Sequence, residues 1–292
     1  MKLHKREYPA ALILLLPTLI GLFVFRLFPI FSGMVRSLFD TRFGAGGEIS
    51  VFVGLGNYQE LFGDPVFWNS LWVTLKFNLL VNPIQIVIAI MLALLLTREK
   101  RGEQFFRSII MITIGMSVSV ASIMWQILLN PNQGVVNGFL GFLGIGQQPF
   151  FTSARQALWG IIFVASWKGV AFWMVFLIAG LQDIPHGLYE AADIDGTNLL
   201  QKIWYITLPL LKRIILFVLV VDTSVNFILF APMYIITRGG PEGSTNVLMY
   251  EAYRSGFIYG LPGRSMAMVT ILLFIMLVIV GIQFKFLRSD TD

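Results

Sequence analysis

The sequence predicts an all-α polytopic membrane protein: six transmembrane helices, N- and C-termini both cytoplasmic, in a single transmembrane domain over residues 1–292. Three observations predict it. Uncharged apolar runs recur that are long enough to cross a hydrocarbon core, which takes about 20 helical residues. Charged residues make up only 13% of the chain and hydrophobic ones 57%, against about 25% charge in soluble domains. Lys and Arg, finally, gather in alternate connections between the runs.

The first run follows a basic start, MKLHKRE, with Lys2, Lys5 and Arg6. A secretory signal would have a shorter apolar region closed by a small-x-small cleavage site. Here residues 8–25 are uncharged and the apolar character passes Arg26 to reach Phe31, so a retained helix at about 9–31 is expected. Pro17 and Pro29 kink or end it, which neighbouring helices can accommodate. Residues 40–65 turn polar and glycine-rich and read as a loop with a short interfacial helix around Asn57–Phe62. Trp68 and Trp72 stand where an aromatic belt belongs.

A second helix, 72–96, ends at Thr97-Arg98-Glu99-Lys100-Arg101. Residues 108–154 carry no charge, too long a stretch for one crossing, and NPNQGVVNG at 130–138 breaks it. A third helix at 105–129 and an irregular segment from 130 to 157 follow from that. The fourth helix, 158–181, is interrupted only by Lys168, and the fifth, 214–236, only by Asp222. The sixth, 264–286, ends at Lys285 and Arg288. The N-terminus, the 97–107 connection, the 182–213 connection and the C-terminus hold twelve of the 21 Lys and Arg. The opposite connections hold six: Arg36, Arg42, Arg155, Arg238, Arg254 and Arg264. The positive-inside rule therefore places 182–213 in the cytoplasm.

Much chemistry is excluded. The absence of cysteine removes disulfides, thiolate nucleophiles and Cys-ligated zinc. With two histidines, His4 and His186, no metal site is expected. No Gly-Lys dipeptide occurs, hence no phosphate loop, and neither H-E-x-x-H nor G-x-S-x-G is present. No basic run with interleaved aromatics lies outside the apolar spans, so no nucleic-acid partner is expected. The net charge of +5 fits basic cytoplasmic loops instead.

One polar stretch stands apart, EAADIDGTNLLQKIWYITLP from Glu190 to Pro209. The bland reading is an amphipathic helix lying on lipid, which would present a basic face. The stretch instead carries Glu190, Asp193 and Asp195 against Lys202, and anionic headgroups would repel it. A protein partner explains it better. Ala191 and Ala192 leave room for close approach, Gly196 permits a sharp turn, and Leu199, Leu200, Ile203 and Trp204 supply a knob for a groove. Pro209 fixes the entry into the fifth helix.

These residues carry a resemblance. Glu190-Ala191-Ala192, three residues, Gly196, nine residues, Ile206-x-Leu208-Pro209 resembles the cytoplasmic coupling motif of permease subunits in ATP-binding-cassette (ABC) importers. Seven fixed positions match by chance in only about one register in 10⁸, so the motif is specific. GLQDIPHGLYEAADIDG (180–196), FVGLGNYQELFGDPVFWNS (52–70) and TRGGPEGSTNVL (237–248) resemble the carbohydrate-uptake branch, in particular the F-type subunit of the maltose transporter. The maltose member has extra N-terminal helices and a large external domain without counterpart here.

The resemblance implies a type I ABC importer permease fold in the cell (inner) membrane of a bacterium or archaeon. It implies a heterodimeric pore with a second permease, an extracellular or periplasmic solute-binding protein that delivers a sugar or oligosaccharide, and two ATP-binding subunits. ATP and Mg are expected on those subunits, with no cofactor bound by this chain and no enzymatic activity of its own. Glu190, Ala191, Ala192, Asp195, Gly196, Ile206, Leu208 and Pro209 are then the residues coupled to the ATPase.

Charges inside membrane spans are candidates for function. Lys168 and Asp222, with Asn226, Trp167 and Trp173, are read as lining a sugar path, since aromatics stack on sugar faces and polar groups bond hydroxyls. Two other readings stand beside it: a structural Lys168–Asp222 pair, or Lys168 snorkelling to the interface. Gly239-Gly240-Pro241 reads as a turn on the outer face, with a binding-protein contact as its role. The alternative for the whole chain is an ion- or proton-coupled secondary transporter, with Asp222 and Lys168 carrying the coupling.

Overall fold

The computed structural model describes residues 7–44, 47–97 and 102–287; the basic residues at 2, 5, 6, 98, 100, 101 and 288 lie outside them. Among the described residues five helices are long and apolar enough to cross a membrane, Ile13–Arg36, Pro65–Leu95, Ala154–Gln182, Leu199–Phe227 and Pro262–Lys285. A sixth span exists if the bent pair Gln104–Gly115 and Val118–Leu128 counts as one. The chain divides into two compact units, Met1–Asp64 with Ala252–Ile271, and Pro65–Glu251 with Leu272–Asp292.

In the first unit, α1 (Glu7–Leu22) runs through a π-helical turn at Phe23–Leu27 into α2 (Phe28–Arg36). The turn precedes Pro29, which has no N–H to offer, and the amide of Phe28 reaches back to the carbonyl of Phe23. A widened turn of this kind keeps the ladder going across a proline. Leu14, Phe25 and Phe31 are among its many exposed apolar side chains, a surface suited to hydrocarbon.

The expected loop beyond it contains a hairpin, β1 (Phe39–Gly44) against β2 (Gly47–Phe52), antiparallel with Phe39 opposite Phe52 and Thr41 opposite Ser50. The hairpin departs from an otherwise helical chain. Glycines dominate the composition of this stretch and conceal the alternation of FDTRF and EISVF. α3 (Gly56–Gly63) covers the expected interfacial helix. Its Asn57 side chain donates to the carbonyls of Ser37 (2.7 Å) and Phe39 (2.9 Å), pinning the hairpin's base. A Cβ on Gly263 would lie 2.0 Å from the Phe39 carbonyl oxygen, so only glycine fits there. Next to it Arg264 pairs with Glu60 at 3.2 Å and with Asp64.

The second unit is built on α4 (Pro65–Leu95), which starts seven residues before the expected 72 because Asn69 and Ser70 sit inside it. α5 (Glu103–Gly115) and α6 (Val118–Leu128) replace the single expected helix and meet at 107°. Ser117 caps α6 by accepting from the amide of Val120 (3.2 Å). α7 (Val135–Phe142) lies within the stretch expected to be irregular. Asn137 secures it, donating to the carbonyls of Pro131 and Gln148 and accepting from the amide of Gln148.

α8 (Ala154–Gln182) packs along α4, and α11 (Leu208–Phe227) packs on both. Between them come α9 (His186–Ile194) and α10 (Leu199–Lys202). Small residues set the close approach, as is usual between helices in membranes. A Cβ on Gly169 would come within 3.0 Å of the Gln85 amide group, and one on Gly180 within 2.1 Å of Ile214 Cδ1. The core around them is Ala89, Ala93, Met174, Leu177, Ile178 and Val218. α12 (Leu248–Tyr253) and α13 (Pro262–Leu287) complete the chain.

Candidate functional site

The Glu190–Pro209 stretch is two helices joined by two residues. α9 ends in a Schellman turn: the amide of Gly196 bonds the carbonyl of Asp193 (3.1 Å) and that of Thr197 the carbonyl of Ala192 (3.0 Å). Gly196 has φ +70°, and a Cβ there would meet nothing of this chain within 4 Å. Glycine is thus required by the backbone and not by crowding. Asn198 then opens α10 with a reciprocal cap: its side chain accepts from the amide of Gln201 (2.9 Å), and Gln201 Oε1 accepts from the amide of Asn198 (2.8 Å).

The two helices are braced against each other. Lys202 pairs with Asp193, and Tyr189 shares a 2.9 Å hydroxyl–hydroxyl bond with Thr207. From α10 the chain continues through a π-helical turn, Ile203–Thr207, into α11, so Ile206, Leu208 and Pro209 belong to one helical span from Leu199 to Phe227. The turn again lies just ahead of a proline, Pro209, with the Leu208 amide reaching the Ile203 carbonyl.

Glu190, Ala191, Asp195, Gly196 and Pro209 are exposed, whereas Ala192 turns inward and is buried. Ile194 is 88% exposed and Tyr205 79%, two outward apolar groups that the residue pattern did not single out. The signal for Ile194 was available: it stands three and four residues beyond Ala191 and Glu190, on the same helix face.

The five residues read as a sugar path separate into two groups. Trp173, Asp222 and Asn226 come together and are buried, at 3%, 1% and 4% exposure. The indole of Trp173 donates to Asp222 Oδ1 (2.7 Å), and the Asn226 amide donates to the same oxygen (3.1 Å) and to Asn82 Oδ1 (2.8 Å). Asn82 in turn donates to Thr223 Oγ1 (3.0 Å), as does Gln283 (2.8 Å). The result is a polar clamp across α4, α8, α11 and α13. Its α4 members escaped the sequence reading, although Asn78, Asn82 and Gln85 recur at helical spacing inside an apolar run. Polar groups so placed mark the face turned to other helices.

Lys168 and Trp167 lie elsewhere, both half-buried. The ammonium of Lys168 donates to the carbonyl of Ile114 (3.2 Å), one of those freed where α5 ends. A cation there answers both the open carbonyl and the negative end of the helix. Lys168 and Asp222 do not pair. Trp167 sets its edge against Trp125, with centroids 5.5 Å apart, and Trp125 meets Phe163 at 4.7 Å.

Gly239, Gly240 and Pro241 form a turn folded onto α4. Thr237 and Thr245 share a hydroxyl bond (2.6 Å), Thr245 donates to the Gly240 carbonyl (2.9 Å), and Asn69 to the Gly243 carbonyl (3.0 Å). Gly239 is buried with φ +80°, and Glu242 is the exposed tip. Among the described residues no cluster of His, Asp and Glu is placed to hold a metal ion.

Residues 85–289 match the family described as binding-protein-dependent transport system inner membrane component. The sn-glycerol-3-phosphate transport system permease protein UgpA of Agrobacterium fabrum is 33% identical over 278 residues, 95% of this chain and 94% of that protein. Its counterpart in Salmonella typhimurium is 32% identical over 244 residues, 83% and 82% of the two chains. In overall fold the chain is similar to the solved structure of a bacterial ABC transporter involved in the import of the acidic polysaccharide alginate. The TM-score there is 0.84 at 23% identity, over 99% of this chain and 98% of that one.

These matches set aside the ion- or proton-coupled secondary transporter. They describe a transport component and not an enzyme. The chain belongs to the family of binding-protein-dependent transport system inner membrane components, as a multi-pass permease subunit of an ABC importer in the inner membrane.

Proposed function

We propose that this permease carries a sugar, an oligosaccharide or a related polyol, and that Glu190–Pro209 is the cytoplasmic segment on which an ATP-binding subunit docks. In this reading a second permease completes the pore, two ATP-binding subunits carry ATP and Mg, and an external binding protein delivers the solute. The observation that carries the docking role is the braced pair α9–α10, which keeps its acidic and apolar groups outward although its own core is close by. Ile194 and Leu200, at 88% and 66% exposure, would each contribute about 1.5–3 kcal/mol on burial in a groove. The pair continues without a break into α11, so a force on it moves a wall of the bundle as a rigid body.

The hydroxyl-rich solute class is supported by the carbohydrate-branch motifs and by the glycerol-phosphate permeases among the relatives. For the path itself, Trp167 and Lys168 at the α5–α6 bend are the groups with surface to offer, and Trp173, Asp222 and Asn226 brace the wall behind them. Gly239-Gly240-Pro241 presents Glu242 toward the binding protein.

The test is reconstitution of both permeases with ATPase and binding protein in liposomes. ATP-dependent uptake of a labelled saccharide, chosen by thermal shift of the binding protein against saccharides and glycerol phosphate, is expected. Uptake by this chain alone without ATP would refute the reading. Ile194→Asp should weaken ATPase co-elution about tenfold or more while membrane levels stay constant. Unchanged co-elution would remove the docking role.

A further inference from the structure

Behind the α9–α10 pair lies a cavity of about 750 Å³ between the ends of α4 and α8, the start of α5 and the inner side of α10. We propose that it binds the phosphate of an anionic phospholipid headgroup at the cytoplasmic face of the membrane, a site separate from the solute path and from the outward docking surface. The proposal rests on the cytoplasmic placement of Glu190–Pro209.

The lining is basic and hydrogen-bonding. Arg107, Lys202 and His186 face it together with Gln104, Gln182 and Thr97, and no carboxylate is among the lining residues whose side chains are described. Arg107 makes no hydrogen bond or ion pair with any described residue. Lys202 lines the cavity and pairs with Asp193, whose carboxylate is largely exposed while Lys202 itself is mostly covered. A guanidinium and an ammonium that line one cavity with neutral amides supply the donor types that phosphate oxygens take. Basic pockets between helices on the cytoplasmic side are where headgroups bind.

The depth also fits a lipid. Phe105, Phe106, Trp204 and Tyr205 are all well exposed on the segments that border the cavity, and aromatics in such numbers mark the headgroup level. The aliphatic remainder of the lining, such as Leu94, Leu181 and Ile203, suits the glycerol and upper acyl carbons. A bound phosphate would tie Arg107 on α5 to Lys202 on α10 and so join the α5 arm to the segment proposed to move.

The experiment uses the assembled transporter in nanodiscs of phosphatidylcholine alone or with phosphatidylglycerol, read by native mass spectrometry after delipidation. Retained phosphatidylglycerol is expected in the wild type, falling about fivefold in Arg107→Gln and restored in Arg107→Lys, as for one basic contact to an anionic headgroup. Equal retention in wild type and Arg107→Gln would overturn the site. A second arm adds inorganic phosphate to phosphatidylcholine nanodiscs. A thermal shift there that Arg107→Gln abolishes, without lipid retention, would overturn the lipid as source and assign the site to a soluble phosphate. ATPase co-elution is recorded in the same samples. Its persistence in Arg107→Gln alongside lost lipid supports a site separate from docking. Absence of co-elution even in the wild type would count against the docking reading, while the retention ratio still decides the lipid site.

Discussion

The α9–α10 pair and the clamp around Asp222 are both polar islands in an apolar chain, yet they are assembled in opposite ways. The bonds of the pair's turn join residues at most five apart, from Thr197 to Ala192 and from Gln201 to Asn198, and its two braces, Lys202 to Asp193 and Tyr189 to Thr207, span only nine and 18. Between helices the clamp joins residues 49 to 144 positions apart: Trp173 to Asp222, Asn82 to Thr223 and Asn226 to Asn82. The pair spends its polarity outward and keeps its shape by bonds within its own short stretch of chain. The clamp spends it inward and keeps four helices in register. The first should therefore fail in partner binding, and the second in folding.

Asp222→Ala is the strongest way to break that contrast. It orphans the buried Trp173 indole N–H at about 1–3 kcal/mol and leaves Asn226 only Asn82 Oδ1 and, at 3.4 Å, Gln85 Oε1. Interhelical hydrogen bonds in membrane proteins average only about 0.6 kcal/mol when measured pairwise, so orphaned donors are the larger effect. A loss of about 3 kcal/mol is expected, seen as a lowered melting temperature of the detergent-solubilised transporter and reduced membrane levels. Asp222→Asn keeps an accepting oxygen for Trp173 and should lose about 1 kcal/mol. Wild-type stability in Asp222→Ala would show the clamp to be incidental.

Gly196 sharpens the other side. Alanine at φ +70° costs about 1–2 kcal/mol, whereas asparagine tolerates the left-handed region better. Neither meets a neighbour in this chain, since the space beyond the Cα is open. Gly196→Asn should therefore melt like the wild type but lose ATPase co-elution, because its side chain would project into the space the partner occupies. Full co-elution of the Asn variant would mean that the space is empty in the complex as well.

What could be read in advance follows the same division. The long apolar spans were legible from uncharged runs, and the Glu190–Pro209 stretch stood out by spacing within twenty residues, since both are local properties. The bend between α5 and α6 was hidden because GMSVSV offers no proline, and an uncapped helix and a Ser117-capped break look alike in composition. Trp173 read as a stacking surface because an aromatic beside polar residues suits a sugar as well as it suits a buried acceptor. Only the approach of α8 to α11 distinguishes the two. Lys168 shows the limit most plainly, as its partner is a backbone carbonyl 54 residues away, which no side-chain pattern records.

That last point has its own test. Lys168→Met should cost about 1 kcal/mol by uncapping α5, with Lys168→Arg close to wild type. If Lys168 and Asp222 act in separate places, the double variant Lys168→Met/Asp222→Asn should be additive within about 0.5 kcal/mol. A coupling above about 1 kcal/mol would restore the salt-bridge reading.

The smallest expected effect belongs to Asn198. Its cap covers the first amides of α10, and replacement by Ala typically costs about 1 kcal/mol. Most of that will not reach global stability, because α10 continues through Ile203–Thr207 into a 29-residue helical span whose far end is packed independently. The cost should appear where the cap acts. Hydrogen exchange at Leu199–Gln201 should speed up about fivefold in Asn198→Ala, with the melting temperature unchanged and Asn198→Ser close to wild type. If the Ala variant instead lowers the melting temperature as far as Asp222→Asn does, the pair is part of the folding core. The division between an outward segment held by bonds within its own stretch of chain and an inward clamp would then have to be given up.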